Sequence, residues 1–217
     1  MDKQFSNVTV LPQTSYFRYL LTVIRNAETC GRDFAETVDQ ICSQLLQEAL
    51  NHVPMKSKTV QTPTHSSFTG LEPTTGVCGI SILRAGACME QTLRNCWNSG
   101  SLNFGKILIQ RDEETAQPIY LYSKFPRDIA ERTVLILEPM LATGGSASKA
   151  IEIIKDQGVK ESNIVFVSII ASKHGLSHVT KKFPSLKFVV AVVDDDLNEQ
   201  RHIIPGLGDF GDRYYCT

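Results

Sequence analysis

The stretch "VLILEPMLATGGSASKA", residues 134–150, decides how this chain folds. Four apolar residues run into Glu138 and Pro139. A loop of small residues, Thr143-Gly144-Gly145-Ser146, then leads into a helix-like run. A strand without polar alternation is buried on both faces, which is the habit of parallel sheets covered by helices. The same rhythm recurs on either side, in "GVCGISIL" (76–83), "KILIQRD" (106–112), "IVFVSIIAS" (164–172) and "FVVAVVD" (188–194). Helix-length segments at 87–97, 145–157 and 174–182 separate several of these runs. The alternation predicts an α/β fold with a mostly parallel central sheet flanked by helices. "IYLYSKFP" (119–126) alternates instead and reads as a projecting hairpin.

Upstream the pattern is helical. "SYFRYLLTVIRN" and "FAETVDQICSQLLQEALNHV" repeat apolar residues at three and four positions, as in Val38, Ile41, Leu45 and Ala49. Gly31 and Asp33 between them serve as stop and cap. "KSKTVQT" alternates like a strand, and the Thr/Ser/Pro-rich piece after it suggests an exposed hairpin or loop. The expected organisation is one domain over 1–217, with a helical segment at 1–55 whose contacts the sequence does not reveal.

The totals narrow the function. With 217 residues the chain can bury a sizeable core, and a net charge of −1 argues against a dedicated nucleic-acid binder. No apolar run approaches the roughly 20 residues that span a bilayer, and "MDKQFSNVTVLPQT" lacks the layout of a secretory signal. The six cysteines form no C-x-x-C pair, so reduced thiols and a cytoplasmic, soluble protein are expected.

In open α/β sheets ligands bind beyond the carboxyl ends of the strands. Four such ends carry polar groups: Arg84, the run Arg111 to Glu114, Glu138, and the run Asp194 to Asp196. Residues 142–146 precede a helix, so backbone N–H groups there can converge on an anion with help from the helix dipole. Thr143 and Ser146 add hydroxyl donors. No Lys follows the glycines, so the loop is not a Walker A motif. An ordinary capped strand–turn–helix connection has the same appearance. A carboxylate just before the cradle can accept hydrogen bonds from sugar hydroxyls, and cradle plus carboxylate suits a phosphorylated ribose. Arg84 and Arg111, if they converge, suit a pyrophosphate. Either could equally pair with a buried acid.

The tail "IIPGLGDFGDRYY" contains Gly206, Gly208 and Gly211 at dinucleotide-fingerprint spacing, without the long following helix or distal acid that motif needs. A Gly- and Pro-dense loop suits reading the edge of a flat polar base by backbone. His174 and His178 have i, i+4 spacing without an accompanying Glu, which favours exposure over metal binding. The Asp194–Asp196 run is either a solvated loop or a cation aid near phosphates.

"ILRAG", "GKILIQRDEET", "PMLATGGS", Asp194 to Glu199 and "PGLGDFGDRYY" together resemble the uracil phosphoribosyltransferases, within the type I phosphoribosyltransferases. The likeness runs from about residue 7 to the C-terminus and is nearest the eukaryotic type. It implies transfer of the phosphoribosyl group of 5-phosphoribosyl 1-pyrophosphate (PRPP) to N1 of uracil in pyrimidine salvage, with Mg²⁺. It implies that Glu138, Pro139, Met140, Leu141, Ala142, Thr143, Gly144, Gly145 and Ser146 hold the ribose and 5-phosphate. Arg84 and Arg111 would hold the pyrophosphate, with Asp209 beside it. Arg84 and Asp209 would carry catalysis, and Ile203, Gly208, Asp209 and Phe210 would read uracil. The resemblance also implies a homodimer or homotetramer, a mobile hairpin at 113–128, a uracil-binding C-terminal loop at 194–217 and, in some members, activation by GTP. The family usually has Asp where this chain has Glu138. A catalytically weak PRPP- or nucleotide-binding regulator on the same fold is the alternative. It would be expected to lose the cradle or the base loop, and both stand here.

Overall fold

A computed structural model describes residues 6–98, 101–111 and 118–217, with Arg111 described by its backbone alone. Along the chain run β1 (Val8–Val10), α1 (Ser15–Arg25), α2 (Gly31–Leu50), β2 (Met55–Gln61), β3 (Ser67–Pro73) and β4 (Val77–Leu83). A 3-10 turn (Ala85–Met89) leads to α3 (Glu90–Cys96), β5 (Leu102–Arg111), β6 (Pro118–Lys124), β7 (Thr133–Leu137) and β8 (Met140–Leu141). Then follow α4 (Gly145–Lys155), β9 (Ile164–Ser172), α5 (Lys173–Lys182), β10 (Lys187–Asp194), β11 (Asp196–Leu197), β12 (Ile203–Ile204) and α6 (Phe210–Tyr215).

The central sheet has the order β1-β10-β9-β7-β4-β5-β6, with β8 also on β9. Every pairing is parallel except β5 with β6. Successive side chains of a strand point to opposite faces, and the two cores divide accordingly. Leu135 and Leu137 of β7, with Val165, Val167 and Ile169 of β9, face α1 and α2. Val134 and Ile136, with Ile164 and Phe166, face α4 and α5. The mostly parallel sheet with helices on both faces is the predicted fold class.

Three local features differ from the sequence reading. The strand of the opening stretch does not stop at Pro139. Its register on β9 continues unchanged from Leu137↔Val167 to Met140↔Ile170. Pro139 lacks an N–H to donate, but its carbonyl accepts from Ile169 N and Ile170 N, both at 3.0 Å. The helix expected over 87–97 divides into the 3-10 turn and α3. The glycine-dense tail ends in α6, whose first free N–H groups are capped when Asp209 Oδ1 accepts from Asp212 N at 2.9 Å. This six-residue helix follows a two-stranded antiparallel hairpin, β11–β12, and so forms no dinucleotide-binding βαβ unit. The β2–β3 hairpin projects, with Phe68 and Leu71 exposed.

Candidate active site

The chain leaves β4 for β5 on one side and later returns to β7 on the other. Such a switch point opens a crevice at the carboxyl ends of the two strands. Arg84 follows β4 there, across a cis Leu83–Arg84 peptide, and Glu138 follows β7. Gly86 brings the two ends together. A Cβ on Gly86 would stand 2.0 Å from the Leu137 carbonyl oxygen, so the turn carrying Arg84 lies directly on the residue before Glu138. Behind it, Glu90 at the start of α3 accepts from Ser81 Oγ at 2.5 Å and pairs with Lys106 of β5.

The crevice holds two adjoining cavities of about 340 and about 280 Å³. Arg84, Ala85, Glu138, Met140, Ala142 and Asp209 line both. The first is completed by Ile203, Gly208, Phe210 and Gly211 from the C-terminal segment, with Arg201 and His202. The second is completed by Leu141, Gly144 and Ser146 over an apolar floor that includes Ile82 and Ile109. Of the four polar strand ends expected to meet, those of Arg84 and Glu138 line the crevice together with the tail, whereas Asp194 to Asp196 do not. Arg111 ends the strand beside β4, but its side chain and residues 112–117, including Asp112, Glu113, Glu114 and the tip of the predicted hairpin, lie outside the described residues.

The cradle is built by α4 and α5 together. Gly144, at φ +84°, is the residue before α4, a backbone position that side chains rarely adopt. Ser172 Oγ accepts from Gly175 N at 2.8 Å and donates to the Ala142 carbonyl at 2.5 Å, so the start of α5 props the loop. Thr143 Oγ1 reaches Gly145 N only at 3.5 Å, a weak contact. Pro139, Thr143 and Gly145 do not line the two cavities. Pro118, the first residue of β6, lies over the cradle, its Cγ and Cδ 3.9 Å from the Cβ position of Gly145.

Arg84 lies against α6. Its Nη2 is 3.5 Å from Asp212 Oδ1, its guanidinium is 5.9 Å from the Tyr215 ring centre, and Tyr215 OH donates to its carbonyl at 3.1 Å. Cys88 is buried in the 3-10 turn that follows Arg84, within electrostatic reach of Glu138. Burial, then the adjacent Cys42 thiol, pushes the Cys88 thiol well above its ordinary range, which leaves it a poor nucleophile.

The aspartate run resolves into separate contacts. Asp194 is buried and accepts both ends of the Arg25 guanidinium at 2.6 and 2.8 Å, plus Gly206 N at 2.9 Å. Asp195 pairs with Lys173 at 2.5 Å. These contacts commit Asp194 to holding the tail rather than a cation. His174 and His178 are both exposed on α5 and line neither cavity. Arg201 was not legible as a lining residue, because its place depends on the β11–β12 turn, where it adopts φ 65°.

A family model for uracil phosphoribosyltransferase matches residues 10–217. The chain is 50% identical to the uracil phosphoribosyltransferase of Lachancea kluyveri, covering 99% of each sequence. It is 48% identical to that of Saccharomyces cerevisiae, over 100% of this chain and 99% of the relative, and 47% identical to that of Dictyostelium discoideum, over 97% of each. Among solved structures, the AQ2163 protein from Aquifex aeolicus superposes with a TM-score of 0.84 at 28% identity, over 97% of this chain and 98% of that one.

Proposed function

This chain belongs to the uracil phosphoribosyltransferase family, and we propose that its two cavities divide the substrates, PRPP in the cradle and uracil against the C-terminal segment. The reaction is that of pyrimidine salvage: uracil N1 gives up its proton, to the departing pyrophosphate or to solvent, and bonds to the anomeric carbon as the bond to pyrophosphate breaks, giving UMP. The observation that carries the division of labour is the wall common to both cavities. Arg84, Glu138 and Asp209 stand where a base on one side and a ribose on the other would meet.

In this reading the small residues from Ala142 to Ser146 receive the 5-phosphate at the start of α4, where N–H groups and the helix dipole favour an anion. Pro139, Met140 and Leu141 form the strand edge that leads into the cradle. Glu138 accepts the ribose hydroxyls. Arg84 holds the pyrophosphate, with Arg111 as its partner from β5. The main chain of Ile203 and of Gly208, Asp209 and Phe210 reads uracil. Pro118, where β6 begins, lies over the cradle. Because the anomeric carbon gathers positive charge as the leaving group departs, catalysis is mainly positioning and charge stabilisation. No covalent nucleophile is required.

Among the described residues no cluster of three or more His, Cys, Asp or Glu could cage a metal ion. Glu138 and Asp209 nevertheless both line the junction. One or two carboxylates plus substrate phosphates is how Mg²⁺ is commonly bound, so the site suits Mg²⁺ carried mainly by PRPP. Bound there, it would neutralise charge on pyrophosphate. No helix among the described residues is long and apolar enough to cross a membrane. A homodimer or homotetramer and activation by GTP follow from the family resemblance, and a cytoplasmic location from the cysteine pattern. Nothing favours the non-catalytic alternative.

The test is incubation with PRPP, Mg²⁺ and uracil while UMP and pyrophosphate are followed. Both should form in equal amounts, and adenine, hypoxanthine and orotate should be inert. Absence of UMP, or equal use of a purine, would overturn the reading.

Glu138 gives a second prediction. Glu reaches more than about 1 Å further than Asp, in contacts limited to hydrogen-bond distance. Glu138→Asp should lower the KM for PRPP about three- to tenfold, the worth of roughly one hydrogen bond, and leave kcat nearly unchanged. An unaltered KM would mean that the site has adapted around Glu.

A further inference from the structure

The contacts of the N-terminal helical segment, which the sequence left unread, lie partly in the C-terminal tail. Arg213 of α6 donates through Nη1 to the carbonyls of Ile24 at 2.5 Å and Leu207 at 2.6 Å. Through Nη2 it donates to the carbonyls of Asn26 at 2.7 Å and Thr29 at 2.8 Å. Its guanidinium also lies 4.3 Å from the ring centre of Phe34, in α2. One planar fork therefore closes the end of α1, where helix carbonyls lack partners within the helix, and grips the residue immediately before Gly208. Lys has no such fork. A second arginine holds the same segment: Arg25 joins Asp194 and donates to the Gly206 carbonyl at 2.9 Å. The segment 206–210 thus hangs between two clamps rooted in α1 and the α1–α2 connection, and Phe210 seals it against Phe34 at 5.8 Å between ring centres.

We propose that Arg213 is a positioning residue for the base, fixing the 207–210 backbone by tying the Leu207 carbonyl to the α1–α2 connection. The inference rests on the reading that this backbone receives uracil. A base read by main-chain groups is sensitive to the height and tilt of those groups, and side-chain identity cannot compensate for their displacement. The cradle lies on other elements, and Arg84 and Asp209 meet this segment only at the wall shared by the two cavities, so uracil binding depends on it more than PRPP binding does.

Steady-state kinetics of Arg213→Ala and Arg213→Lys, with PRPP affinity measured separately by titration calorimetry, test the proposal. The KM for uracil should rise at least tenfold in the Ala variant and by less in the Lys variant, which keeps the charge but only part of the grip. The KM and Kd for PRPP should rise several-fold less than the KM for uracil. Parallel weakening of both substrates, or an unchanged uracil KM, would overturn the proposal and leave Arg213 a general structural tie. If Arg213→Ala does not fold, the Lys variant is decided by the same ratio. A parent enzyme that does not use uracil would instead defeat the reading of the site, a result visible before any variant is made.

Discussion

Arg84→Ala should lose about a hundred- to a thousandfold in kcat for UMP formation, the usual cost of removing one preorganised group from developing charge. Its melting temperature should stay within a degree or so of the parent. The separation follows from where the side chain lies. Arg84 is 61% exposed, and its partner Asp212 is 58% exposed at 3.5 Å. Such exposed pairs contribute about 0–1 kcal/mol to stability. The backbone contact that holds the turn, Tyr215 OH to the Arg84 carbonyl, survives the substitution. Under the proposed reading, a bound pyrophosphate would compete with Asp212 for the guanidinium, with more charge and a bidentate geometry. Equal losses of melting temperature and activity would show that Arg84 is a structural residue and would remove it from the site.

Gly86→Ala should damage fold and function together. Its Cβ would stand 2.0 Å from the Leu137 carbonyl oxygen and 3.3 Å from Ser81 Cα, and backbone cannot move aside as a side-chain tip can. Overpacking of this kind costs about 1–3 kcal/mol, or roughly 2–4 °C in melting temperature for each kcal/mol in a domain of this size. The activity loss should exceed what that destabilisation explains at room temperature. Relief of the clash separates the Arg84 turn from the strand end that carries Glu138, and the two stand on the same wall. Measured kcat/KM at 25 °C and the thermal midpoint check both parts. A variant with parental activity would mean that the contact between β4 and β7 does not set the site's geometry.

Much of this was legible in the sequence because the informative signals are local. β4, β5, β7, β9 and β10 are near-continuous apolar runs, and a parallel sheet covered on both faces asks for little else. Arg84 and Glu138 were visible as polar residues closing such runs, and Gly144 as part of a small-residue cradle. What stayed hidden depends on distance. β1 is three residues long and is defined only by its pairing with β10. α6 contains Gly211 and reads as loop until Asp209 caps it and Phe210 finds Phe34. The Arg213 clamp joins residues up to 189 apart through main-chain carbonyls, which leave no mark in the sequence. Asp194 had the residue type of a metal ligand, and only its ion pair with Arg25 shows it to be a fastener. In each case a short or ambiguous segment took its conformation from tertiary contacts.

The division of the crevice is tested most directly by a crystal structure of the enzyme with UMP. The account predicts the phosphate on the backbone of residues 142–146, the ribose hydroxyls at Glu138 and the pyrimidine edge on the main chain of Ile203 and residues 208–210. A nucleotide bound the other way round, or seated outside the cavities that share Arg84, Glu138 and Asp209, would contradict it.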